Sequence, residues 1–119
     1  MALYAALLYF PEDQDWTTAE ILDEHRRAMS RPEVAEAHRG GAALHLAGAA
    51  TTITVAGGEG GDVVVTDGPY AEAKEVLAGI VLVEAADLDE AMRCAARIPA
   101  AWHGQVELRP VLLSRGFAT

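Results

Sequence analysis

The sequence predicts an α+β protein: a ferredoxin-like sandwich of order β-α-β, an inserted β-hairpin, then β-α-β, with two helices on one face of an antiparallel sheet. Three observations carry this expectation. Short apolar or β-branched runs at 2–10, 51–55, 62–66 and 79–85 are interleaved with two stretches of helical periodicity. The glycine-rich run 57–61 between two β-branched segments is a hairpin signal. A length of 119 residues with no linker or internal repeat allows one domain, 1–119.

The elements follow in order. Residues 2–10 (ALYAALLYF) are apolar nearly throughout and end at Pro11, as a central strand does. Thr17 precedes Glu20 by three, the spacing of a capping box, and opens a helix with Ile21, Leu22, His25 and Met29 on one face. Pro32 disfavours helical geometry at Arg31, so the helix stops near Ser30. A short second helical segment starts at Pro32 and ends at Gly40-Gly41. Residues 42–46 are expected as a short strand and 47–50 as a turn. Residues 51–55 (TTITV) and 62–66 (DVVVT) form the hairpin. Asp67-Gly68-Pro69 is a sharp turn, and 70–77 form two helical turns or an ordered loop. An apolar strand runs over 79–85. Asp87 and Glu90 repeat the helix-start signal, and Leu88, Ala91, Met92, Ala95 and Ile98 share the apolar face of a helix that stops before Pro99. Residues 105–109 alternate and, with 110–113, make the last strand.

Composition narrows the function. The formal net charge is −9, which repels phosphate backbones and excludes nucleic acid as a partner. No apolar run approaches the ~20 residues that cross a bilayer, so a membrane is excluded too. Residues 1–10 lack a basic segment and run into Pro11-Glu12-Asp13, which reads as a buried strand and not as a signal peptide. One cysteine, Cys94, fits a reducing cytoplasm. It sits beside core positions of the second helix and reads as a small buried hydrophobe. Alanine supplies 24 residues, leaving about a third of the chain for larger apolar side chains. Part of that surface lies on the sheet face opposite the helices, where a second copy would cover it, so a homodimer is expected.

One stretch is more specific than its composition. It reads Val-Thr-Asp-Gly-Pro-Tyr-Ala-Glu-Ala-Lys-Glu at 65–75, then Leu77-Ala78-Gly79, Asp87-Leu88-Asp89-Glu90-Ala91, Ala95-Ala96-Arg97-Ile98-Pro99 and Val106-Glu107-Leu108-Arg109-Pro110-Val111. This resembles the YCII-related family, and within it the DGPF subgroup, with Tyr70 in place of the phenylalanine. The resemblance implies a dimeric α/β barrel. It also implies a suspected small enzyme, in which a His on the first helix pairs with an Asp just before a proline after the second. His25 matches that His; at the Asp position this chain has Ile98. Some members of the subgroup are encoded beside extracytoplasmic-function sigma factors.

The candidate residues follow. His25 is the candidate general base, and Asp67 is the carboxylate that would orient it. Tyr70 and Lys74, the chain's only lysine, lie in the same motif and are candidate substrate contacts, as is Arg109 on the last strand. The four histidines, His25, His38, His45 and His103, lack metal-ligand spacing, and no metal or cofactor is expected. These residues point to a cofactor-independent proton transfer, isomerisation or elimination on a small organic molecule. The alternative is a non-catalytic dimeric module that binds a ligand or a regulatory partner such as a sigma factor.

Overall fold

A computed structural model describes residues 1–116. The elements are β1 (Ala2–Pro11), α1 (Ala19–Met29), α2 (Pro32–Ala35), β2 (His38–Ala43), a 3-10 turn (Ala47–Ala49), β3 (Thr51–Ala56), β4 (Asp62–Asp67), β5 (Glu75–Ala85), α3 (Leu88–Ala95), α4 (Ala100–His103) and β6 (Gln105–Pro110). The main sheet has the order β2-β5-β1-β6, with every neighbouring pair antiparallel. This is the ferredoxin-like arrangement predicted. The β3–β4 hairpin forms a two-stranded sheet of its own, inserted between β2 and β5.

Strand periodicity decides what each face of β1 does. Tyr4, Ala6, Leu8 and Phe10 are buried and lie opposite Val83, Val81, Gly79 and Val76 of β5. Val34 of α2, Ala91 and Cys94 of α3, and Ile98 and Ala100 close over them to make the core. Ala5, Leu7 and Tyr9 point the other way and stay partly exposed.

Local chemistry accounts for the helix ends. Thr18, not Thr17, caps α1, its side chain accepting from the Ile21 amide; Thr17 instead bonds to Asp15 through both its amide and its hydroxyl. The cap therefore sits one residue later than the Thr17–Glu20 spacing implies, and with Ile21 at the third position no reciprocal box bond forms. At α3 the expected pair forms: Asp87 Oδ1 accepts from the Glu90 amide at 2.9 Å, and Glu90 Oε2 accepts from the Ala86 amide at 3.0 Å. Asp87→Ala is expected to lower stability by about 1 kcal/mol, read from the midpoint of a urea transition at unchanged slope.

The second strand differs most from expectation. It covers His38–Ala43 and not 42–46, so Gly40-Gly41 does not terminate a helix but lies inside the strand. A Cβ on Gly41 would stand 2.6 Å from the Ile80 carbonyl oxygen, so only glycine lets β2 lie this close to β5. Gly40 has φ +150° at the point where the β2–β5 register shifts. Residues 70–74 are an ordered loop, β5 begins four residues before the predicted 79, and β6 ends at Pro110. The short α4 after Pro99 had no predicted counterpart.

Candidate functional site

A narrow apolar cleft opens between α1 and the sheet. Leu8 and Phe10 of β1 form its floor, Ile21, Leu22 and His25 of α1 form one wall, and Pro99 and Ala100 form the other. Trp16 closes one end. Its ring is 3% exposed, tilts against Phe10 at a centroid distance of 5.8 Å, and donates from Nε1 to the Leu44 carbonyl at 2.9 Å. The cleft holds about 40 Å³, room for a few waters at most.

Among the described residues, His25 is the one ionisable side chain in that lining. Burial pushes its pKa below the ordinary 6.5, and the positive charges of His38 and Arg26 push the same way. The imidazole is therefore neutral near pH 7 and offers a lone pair to an apolar space, which suits a base. The same shift affects stability. The unfolded chain takes up the His25 proton more readily than the folded one, so stability falls as the pH drops through and below 6.5. His25→Gln is expected to flatten the slope of unfolding free energy against pH in that window, as measured by urea titrations at a series of pH values.

A second pair borders the cleft. His103 Nε2 of α4 lies 2.6 Å from Glu24 Oε1 of α1, and both side chains are partly buried. The His103 ring stacks on Phe10 at 6.0 Å. The pair ties together the two helices that wall the cleft. No sequence signal marks it, because its members are 79 residues apart and meet only once the sheet has formed.

The remaining candidates lie elsewhere. Asp67 ends β4 opposite Thr51 and is exposed. Its turn is closed by the Gly68 amide donating to the Ala50 carbonyl at 2.7 Å and by the Thr52 hydroxyl donating to the Gly68 carbonyl at 2.8 Å. Gly68 sits at φ +100°, which favours glycine there. Tyr70 is exposed and rims a separate groove. The Lys74 carbonyl accepts from the Glu12 amide at 2.7 Å, tying the loop to the end of β1. Arg109 is exposed on β6 and paired with Glu107, which pushes the guanidinium pKa further up. The cleft lining contains none of these four residues.

Residues 2–114 match the YCII-related domain. The chain belongs to the YCII-related family. An uncharacterised protein of Rhizobium meliloti (strain 1021) is 34% identical over 118 residues, with 93% of each chain covered. Within this YCII-related fold Ile98 is fully buried in the core. The link between α1 and the region after α3 is instead made by Glu24 and His103, with the carboxylate on α1 and the imidazole on α4. Among the described residues, no helix is long and apolar enough to cross a membrane.

Proposed function

We propose that this YCII-related protein is a small cofactor-independent enzyme of the DGPF subgroup, acting in the cytoplasm as a homodimer on a small organic molecule. Its reaction is a proton transfer, as in isomerisation or elimination, with His25 as the base. The observation that carries this reading is a single neutral imidazole in an otherwise apolar cleft. The Asp67-Gly68-Pro69-Tyr70 motif supports the subgroup.

A substrate needs a site of roughly 300 Å³ or more, so α1 and α4 must part to admit one. Asp67 lies outside the cleft that holds His25, so His25 acts there without a carboxylate from the Asp67-Gly68-Pro69 turn. The homodimer is supported by the half-exposed apolar face of the main sheet, with Leu7, Tyr9 and Ile80 partly in water. The apolar lining calls for a substrate with a largely uncharged body and one acidic C–H or O–H.

The test is proton exchange. Wild-type protein is incubated in deuterated buffer with a panel of small carbon acids, and label uptake is followed by NMR. Catalysed uptake that falls at least ~100-fold in His25→Gln supports the reading. Uptake that is equal in both proteins, or absent across the panel, favours the non-catalytic ligand- or partner-binding module. That second reading draws on one observation, the small volume of the closed cleft.

A further inference from the structure

The β3–β4 ribbon carries a feature that the cleft does not use. Ile53 lies opposite Val65, and Val55 opposite Val63, so all four side chains share one face of the ribbon. They are 65%, 61%, 44% and 64% exposed in that order. The other face pairs Thr52 with Thr66 and Thr54 with Val64. An isolated two-stranded ribbon is marginally stable in water, and this one leaves its apolar face uncovered. The ribbon pairs with no strand of the main sheet, and the radius of gyration is 16.0 Å, against the ~13–14 Å of a compact chain this long.

Area decides what covers it. The four side chains leave roughly 400 Å² in water, the size of the largest patch on an ordinary monomer. Contact with a foreign partner buries about twice that, ~800 Å² in total, which is the scale of a crystal contact. A twofold exchange, in which each of two copies lays its ribbon on the other, makes the contact twice. It buries ~1,600 Å², the size of a stable specific interface. A receiving surface lies beside the ribbon's root: a groove of about 520 Å³ lined by Leu44, Leu46, Tyr70, Val76 and Leu77. Leu44 and Leu77 are exposed there, and Tyr70 is almost wholly in water.

We propose that the β3–β4 ribbon is a dimerisation arm whose Ile53–Val55–Val63–Val65 face seats in the Leu44–Leu77 groove of a second copy, reciprocally. This rests on the homodimer proposed above and not on any catalysis. The arm explains why the ribbon is amphipathic. It also makes Asp67, on the same face at the ribbon's root, part of the contact between copies.

Sedimentation velocity on the full chain over a dilution series tests it. The double variant Ile53→Thr/Val65→Thr keeps β-branched residues but removes apolar surface, and Val64→Thr makes the same change on the opposite face. Wild type and Val64→Thr are expected to dimerise equally, and the double variant at least ~100-fold more weakly. Chains carrying Val65→Cys mixed with chains carrying Leu77→Cys are expected to form a mixed disulfide dimer. A double variant that dimerises as tightly as wild type, or a Val64→Thr variant weakened to the same degree, overturns the arm. Absence of the mixed disulfide overturns the groove as its seat. A wild type that stays monomeric at high micromolar concentration overturns the arm and the homodimer together, while leaving His25 exchange chemistry to its own test.

Discussion

An Ile98→Asp variant is expected to be largely unfolded, losing more than ~4 kcal/mol, and to gain no proton-transfer activity. Ile98 is the position where the family resemblance places an acid, so the substitution looks like a repair. The fold forbids it. The side chain is fully buried and packs in the cluster of Phe10, Val81 and Ala91. A carboxylate there would lose its hydration inside an apolar cluster that, among the described residues, contains no buried polar or charged residue, and a protonated acid would still lose the packing. Native stability of a domain this size is only ~5–15 kcal/mol, so such a loss leaves little folded protein. Ile98→Val, which removes one methylene, is expected to cost about 0.5–1.5 kcal/mol. Far-UV circular dichroism and urea transitions of the two variants measure both. An Ile98→Asp protein as stable as wild type would mean that this side chain is not locked in the core.

The second large effect is at Gly104. A Cβ there would stand 2.0 Å from the Tyr9 carbonyl oxygen and 3.0 Å from the Phe10 Cα. Both atoms belong to backbone in the sheet, so no flexible side chain can give way. Gly104 precedes Gln105, which pairs with Tyr9 at the start of the β1–β6 ladder. Gly104→Ala must push β6 away from β1, at a cost of about 3 kcal/mol or more. The displacement also moves the neighbouring His103 away from Glu24 and frees α4 from α1. Urea transitions give the stability loss. Loss of the His103 ring-proton signature of its carboxylate partner, read by NMR, gives the local consequence.

The fold was legible where one residue pattern settles one element. The apolar run before Pro11, the β-branched segments flanking the glycine run, and the Asp87–Glu90 cap each define a structure locally. Boundaries failed where tertiary contact overrode local propensity. Gly40-Gly41 reads as a helix end, but the close approach of β2 to β5 takes these glycines into the sheet. The spacing to Glu20 singles out Thr17, but its amide and hydroxyl are taken by Asp15 and the cap falls to Thr18.

The candidate site was legible only in part, for a physical reason. His25 sits on the apolar face of a periodic helix, so its burial follows from spacing alone. Glu24 reads as a solvated helix residue until α4, which no pattern announces, brings His103 to it. Asp67 and Tyr70 are conspicuous as a motif because a sharp turn needs Asp-Gly-Pro, and the structure shows that turn closed through Gly68 and Thr52. A motif's clarity in sequence reports its backbone constraint, and proximity to a cleft is set by the topology.

The role proposed for His25, a neutral base at an apolar cleft, is tested most directly by titrating its ring signals with two-dimensional NMR, assigned with the His25→Gln variant. A midpoint below 6.5 that moves when a bound small molecule fills the cleft is the predicted result. A midpoint at or above 6.5, unmoved by any ligand that binds, would contradict it.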